Sequence, residues 1–195
     1  MRSRIAHLAA RLMAQDGIED FGFAKRKAAR QVGAPDTRNL PDNTEIEEAL
    51  RAYRQLYEGE AHAQRVVALR REALAMMRVL QAFRPHLVGP VLAGNAGRYA
   101  EIDLHLFTDS TKDVELSLIN RGIAYKTRET RFWAGDAMRQ APTFTFEAPG
   151  GVTFNLTVFA SGELRHRLRA TPDGRPIERA RAESVEALLA DSAGG

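Results

Sequence analysis

The chain contains no cysteine, which excludes disulfides, thiolate chemistry and cysteine-based zinc sites and fits a reducing compartment. Long apolar runs are missing too. In the opening MRSRIAHLAARLMAQDG, His7 and Arg11 interrupt the apolar stretch, and no longer one follows. Neither a secretory signal nor a transmembrane span is therefore expected, no membrane partner is foreseen, and the cytoplasm is the expected compartment. Charge of one sign is also scarce. The 28 basic and 25 acidic residues leave a net charge of +3, too little to assign nucleic acid as a partner from charge alone. Of the basic residues, 24 are arginine, a choice that suits bidentate contacts to carboxylates or phosphates but also follows from genomic base composition.

What is present is ordinary for a folded protein. Hydrophobic residues make up 44% and charged ones 27% of 195 residues, which argues against global disorder and suits one compact unit with a helical extension. Ile5, Leu8, Leu12 and Met13 recur at helical spacing and Asp16-Gly17 closes that helix. Phe23, Ala24, Ala28 and Val32 share a face of a second, ended by Gly33. The segment APDTRNLPDNT after it is dense in Pro, Asp and Asn and reads as a loop. Thr44 with Glu47 has the form of a capping box opening a helix from about Glu45 to Tyr57. Val66, Leu69, Ala73, Met76, Leu80 and Phe83 then mark a long amphipathic helix. The stretch from Thr44 to Ala82 either packs on the sheet or forms a homodimer.

After Pro85 the pattern changes to strands. HLVG reads as a short buried strand. EIDLHLF alternates without fault, with Ile102, Leu104 and Leu106 on one side and Glu101, Asp103 and His105 on the other. DSTKDVELSLINRG is a helix with Asp109 or Ser110 as N-cap and Gly122 as its stop, and IAYKTRETRFW gives one or two exposed strands. TFTFEAPGGVTFNLTVF reads as a hairpin. A three-residue loop or a bulge would place Phe144, Phe146, Val152, Phe154, Leu156 and Val158 on one face, opposite Thr143, Thr145, Glu147, Thr153, Asn155 and Thr157. A C-terminal helix follows, with Pro176 suited to its first position. The expected fold is α+β, divided into a helical N-terminal region, 1–82, and a second domain, 83–195.

The chemistry of the chain concentrates in GNAGRYAEIDLHLFTDS, Gly94 to Ser110. Residues two apart on a strand point to the same side at about 7 Å, so Glu101 and Asp103 can chelate a common Mg²⁺ ion or clamp a pair of them, hard cations that take oxygen ligands. The pattern is also that of the solvated side of an ordinary half-buried strand. His105 shares that face, as a general base, a phosphate contact, or a solvated or carboxylate-paired histidine.

Gly89 to Leu104, GPVLAGNAGRYAEIDL, resembles the signature of the nucleotidyltransferase superfamily, the polymerase-beta-like fold. That signature is Gly-Ser, a short helical turn with a further Gly, then Asp-hydrophobic-Asp-hydrophobic on a strand. Gly89 falls on the first glycine, Pro90 on the serine, Gly94 on the second glycine, and Glu101 and Asp103 on the acids, with no gap. The resemblance spans roughly Phe83 to Phe159. It implies a small mixed β-sheet of nucleotidyltransferase type and Mg²⁺-dependent transfer of a nucleoside monophosphate from a nucleoside triphosphate to an acceptor. Glu101 and Asp103 would be the catalytic metal ligands. Gly89 and Gly94 would shape the phosphate turn, and Arg98 would contact the nucleotide. The position of the third acid falls on Asn155, with Glu147 as a substitute ligand. Three departures stand out: Pro90 lacks the hydroxyl and the amide donor, Glu101 is a methylene longer than Asp, and Asn155 is neutral. The alternative is a catalytically inactive protein of the same fold that binds a nucleotide or a protein partner.

A third expectation comes from the N-terminus, where AARLMAQDGIEDFGFAKRKAARQVGA resembles the first two helices of TetR-type DNA-binding domains. The recognition helix should follow Gly33 at once, yet a Pro- and Asp-rich segment does. Lys25, Arg26, Lys27 and Arg30 form a basic cluster that reads as a solvated helix face or a nucleic-acid contact.

Overall fold

The computed structural model describes residues 1–35, 39–57 and 59–193. The fold is α+β, as its sequence pattern implies, and it divides into two compact units, residues 1–66 with 94–99 and residues 67–93 with 100–195. Among the described residues no helix is long and apolar enough to cross a membrane.

The first unit is helical. Helices α1 (Arg2–Asp16), α2 (Phe21–Gln31), α3 (Asn43–Tyr57) and the opening of α4 (Gly59–Val79) supply it. Ile5, Ala9, Leu12, Ala24, Ala28, Ile46 and Leu50 form its core, and the alanines let the helix backbones approach closely. Gly17 ends α1 in the left-handed conformation at φ 67, which glycine adopts without a Cβ penalty. The face expected for α2 needs correction at Phe23, which is 46% exposed; Phe21 packs against the core in its place. The next described helix after Gly33 opens at Asn43, while positions 36–38 of the intervening segment lie outside the described residues. Lys27 of the basic cluster is ion-paired with Asp16 at 2.9 Å.

The capping box of α3 sits two residues earlier than the spacing of Thr44 and Glu47 suggests. The Asp42 N–H donates to Glu45 Oε2 at 2.7 Å and the Glu45 N–H to Asp42 Oδ1 at 2.9 Å. Asp caps as well as Thr, and Arg2 adds a reason for this choice, because its Nε reaches both Glu45 oxygens at 2.7 and 2.8 Å.

The second unit is built on a mixed six-stranded sheet. Its strands are β1 (His86–Val88), β2 (Ile102–Phe107), β3 (Lys126–Ala134), β4 (Ala137–Glu147), β5 (Thr153–Phe159) and β6 (Leu168–Arg169), in the order β1-β2-β5-β4-β3-β6. Only β2 and β5 run parallel. Helix α5 (Gly89–Ala93) follows β1, α6 (Thr111–Asn120) follows β2, and α7 (Ala182–Ala193) closes the chain. Ser110 is the N-cap of α6, its hydroxyl accepting from the Asp113 N–H; Asp109 instead accepts from the Ser161 N–H at 2.8 Å.

One sheet face is apolar across β2, β5 and the second half of β4. Ile102, Leu104, Leu106, Phe144, Phe146, Phe154, Leu156 and Val158 are all buried, and Phe146 stacks on Phe154 with ring centroids 5.4 Å apart. The other face begins polar and ends apolar. Phe107 and Phe159 stand on it and join Phe132, Ala141 and Leu168 in a second small core. Between the two ends a hydroxyl chain crosses three strands: Thr130 to Thr143 at 2.7 Å and Thr143 to Thr157 at 2.9 Å. The C-terminal segment closes over that core through Ile177, whose N–H donates to Leu168 O at 2.7 Å. Pro176 is consequently in an extended bridge with Arg169, and α7 starts six residues beyond it, at Ala182.

The Arg2–Glu45 pair gives the helical unit a pH dependence. Hydrogen bonding to Arg2, then to the Asp42 backbone, holds the Glu45 carboxyl down from 4.5 to about 2. A depressed carboxyl stabilises the fold above its ordinary value and ceases to as pH falls through the folded one. Melting temperature should therefore decline between about pH 4.5 and 2. In Glu45→Gln this component of the decline should be absent, which thermal denaturation across that range would reveal.

Candidate functional site

Strand alternation and strand pairing together assemble the site. Glu101, just before β2, and Asp103 within it project to the same side. The parallel register sets Asn155 of β5 opposite Asp103, and the antiparallel one sets Thr145 of β4 opposite Asn155. The side chains meet accordingly. Asn155 Nδ2 donates to Glu101 Oε2 at 2.6 Å and to Asp103 Oδ1 at 3.0 Å. The Thr145 hydroxyl donates to Asn155 Oδ1 at 2.8 Å, which fixes the carboxamide with its NH₂ toward the acids. Asn155 is buried at 4% exposure, while both carboxylates are half-buried.

Gly89 closes one side of this group. Val88 pairs with Asp103 in the β1–β2 ladder, and a Cβ on Gly89 would lie 3.0 Å from Asp103 Oδ2. The residue also sits at φ 72, a region that side chains other than glycine's enter at a cost. Pro90 occupies the first turn of α5, where a missing N–H costs nothing. The carbonyl end of that helix is held by Arg70, buried, with Nε donating to Val91 O at 3.1 Å and Nη2 to Leu92 O at 2.8 Å. Burial lowers the pKa of Arg70 from its ordinary value.

Of the residues foreseen for the site, Gly89, Glu101, Asp103 and Asn155 are brought together in the sheet unit. Gly94 and Arg98 belong to the helical unit. There Gly94 O accepts from His62 Nε2 at 3.1 Å, Asn95 and Ala96 are buried, and Arg98 is exposed. Glu147 stays at the hairpin end, paired with Thr153 and with Oε1 4.0 Å from the place of a Cβ on Gly151. Among the described residues, no three His, Cys, Asp or Glu side chains gather as a metal-holding group.

His105 is neither solvated nor carboxylate-paired. It is 8% exposed and tilts against Phe159 with ring centroids 4.6 Å apart. Burial, then the charges of Arg179 and His86, lowers its pKa to about 3, so the ring is neutral. Its Nδ1 has no hydrogen-bond partner.

Thr145 is foreseen on the polar hairpin face but not as a site residue, and Lys126 is foreseen in neither role. Thr145 orients Asn155, and Lys126 stands opposite Thr145 across the β3–β4 ladder. Lys126 is exposed on the same face as Asp103, three strand spacings or about 14 Å away. The signal that locates it is Gly135-Asp136, a two-residue turn between Ala134 and Ala137 that fixes the register of the whole hairpin.

Glu101 and Asp103 could hold one hard cation only with Asn155 turned over, since its Nδ2 now donates to both acids. Two carboxylates and a carboxamide oxygen match what Mg²⁺ takes from protein when phosphate oxygens complete its shell. The Asn155 NH₂ points at the space such an ion needs, so its side chain has to turn over and present Oδ1. A hydroxyl both donates and accepts, and Thr145 can hold the reversed amide as well as the present one. Compared with protein-family models and with curated proteins, the chain matches none.

Gly89→Ala should lower stability by about 1 to 2 kcal/mol for its positive φ and also press on the Asp103 carboxylate. Gly151→Ala, at φ 78 with its nearest neighbour 4.0 Å away, carries the backbone cost alone. Mn²⁺ titration followed by electron paramagnetic resonance should show weaker binding in Gly89→Ala only. Equal affinity in the two variants would remove the close approach from the account.

Proposed function

We propose that the sheet unit is a nucleotidyltransferase-type domain that binds a nucleoside triphosphate with one Mg²⁺ at Glu101 and Asp103 and transfers the nucleoside monophosphate to an acceptor hydroxyl. The observation that carries this reading is the convergence of Glu101, Asp103 and Asn155 on one sheet face beside Gly89. In such a reaction the acceptor oxygen bonds to the α-phosphorus, the bond from that phosphorus to the bridging oxygen breaks, pyrophosphate leaves, and the hydroxyl proton passes to solvent. When bound, Mg²⁺ neutralises phosphate charge and stabilises the leaving oxygen. The protein's part is positioning. Asp103 and Glu101 would hold the ion, which would supply charge neutralisation at the phosphates, and the Gly89 turn brings backbone close to Asp103. Lys126 supplies positive charge across the face, within reach of the far end of a polyphosphate chain.

One observation favours a second reading, a binding domain of the same type without turnover. Asn155 brings a neutral group where the resemblance has a third carboxylate, and its amide already satisfies both acids. Such a site retains a nucleotide while lacking the charge for a second ion.

Calorimetric titration of each nucleoside triphosphate, with and without Mg²⁺, separates these readings when joined to a pyrophosphate-release assay. Wild type should bind one triphosphate in a Mg²⁺-dependent way, at least about tenfold more tightly than Asp103→Ala, a difference of about 1.4 kcal/mol. Asn155→Asp should bind Mg²⁺ more tightly than wild type. Turnover by wild type supports the enzyme, and turnover only in Asn155→Asp supports the binding domain. Equal triphosphate binding by wild type and Asp103→Ala would defeat both.

A further inference from the structure

A cavity of about 400 Å³ lies in the sheet unit beyond the carboxylate group, where α4 ends, β1 begins and α7 starts. Its volume is within the range of small-molecule sites, roughly 300 to 1,000 Å³. Met77, Pro85 and Leu164 form an apolar wall, and Arg78, Arg84 and Arg181 bring guanidinium groups to its lining. Glu183 is the one acid that lines it; the neighbouring Glu186 is taken by Arg78 at 2.7 Å. The lining therefore carries an excess of positive charge.

Two further observations set this cavity apart from an ordinary basic surface. First, Arg84 is at φ 48, the only positive-φ non-glycine residue among those described. A left-handed conformation costs a side-chain-bearing residue about 1 to 2 kcal/mol; Arg84 adopts it as the C-cap of the 3₁₀ turn Gln81–Phe83, with its N–H on Gln81 O. Here Arg84 Nε donates to Phe107 O at 3.2 Å and Nη2 to Ser161 Oγ at 2.5 Å. The guanidinium is thus held in place before any ligand arrives. Second, His86 on the cavity wall feels three cations at once. Burial, then Arg179, Arg181 and Arg84, lowers its pKa, against a bond to Arg84 O at 2.9 Å that raises it. The ring is 6% exposed, on a lining where Glu183 stands among the arginines. Arg179 donates through Nη2 to Leu164 O and His166 O at 3.2 and 3.0 Å while its Nη1 is buried without a partner among the described residues, whereas Arg181 is exposed.

We propose that this cavity is a second ligand site, for a small molecule with an anionic head, a phosphate monoester or a carboxylate, and an apolar body. The head meets Arg181 and the donors that Arg84 does not give to Phe107 O and Ser161 Oγ, guanidinium groups suited to anionic oxygens. The body lies on Met77, Pro85 and Leu164. The site is independent of the carboxylate pair and of what binds there.

Phenyl phosphate, benzoate and phenol serve as probes in calorimetric titrations of wild type, Arg181→Gln and Asp103→Ala. Wild type should bind phenyl phosphate or benzoate saturably, and whichever binds more tightly identifies the head; phenol should not bind. Arg181→Gln should lose at least about tenfold in affinity while its melting temperature without ligand stays at the wild-type value. Asp103→Ala should bind as wild type does, so failure of the nucleotide reading leaves this one standing. No saturable binding of either anion, equal binding by Arg181→Gln, or loss in Asp103→Ala would each overturn it.

Discussion

The parallel pairing of β2 with β5 is the constraint on which the site depends. It places Asn155 opposite Asp103, and with side chains alternating every residue the carboxamide has to meet the acids rather than the apolar core. A slip of one residue would put Phe154 or Leu156 there and expose the core face of β5. The pairing is protected by what it buries: Phe154, Leu156 and Val158 on one side, and Phe159 against Phe107 on the other. The same apolar contacts that stabilise the sheet therefore fix the distance between the charged groups.

The charged face is graded along the strands. Nearest the Gly89 turn, two carboxylates share one carboxamide. Next come His105, Thr157 and Thr143, buried and linked in part by hydroxyl contacts. Last come Phe107 and Phe159, covered by the segment that carries Leu164, Leu168 and Ile177. Only the first band combines charge with access. His105 lies too deep to serve it, and its neutral ring is the form that burial favours. The arginine-lined cavity opens where β1 starts, away from the Gly89 turn at the other end of that strand. One short strand thus connects a negative group of side chains to a positive one.

Much of this was legible in the residues. The alternation of Ile102, Leu104 and Leu106 against Glu101, Asp103 and His105 predicts both faces of β2. The flanks of Pro149-Gly150-Gly151 predict which hairpin residues point inward. Gly17, Gly33 and Gly122 mark helix ends because a positive φ is needed there. Other features depended on contacts between distant segments. Pro142 hides the first half of β4, since proline is rare inside sheets. It is tolerated because the β4–β5 ladder begins at Thr143, leaving residues 137–142 of β4 paired with β3 alone. Pro176 suits a helix start by local propensity, yet the chain there is extended because Ile177 is drawn into the small core. The burial of Thr143, Thr157 and His105 contradicts a wholly solvated outer face, and no local pattern reveals a cover supplied by residues 160–181. The gathering of Glu101, Asp103 and Asn155 was foreseeable only through the family resemblance, and the orienting role of Thr145 required the register.

In the metal-free protein the Asn155 amide bridges Glu101 and Asp103, and an ion binding there as proposed would have to displace it. The side-chain ¹⁵N–¹H resonances of Asn155, followed while Mg²⁺ is added to the whole protein, test this most directly. A downfield, exchange-protected NH₂ pair is expected in the metal-free protein, shifting saturably as the amide turns toward Thr145. Resonances that stay in place while Mg²⁺ perturbs other parts of the chain would contradict it.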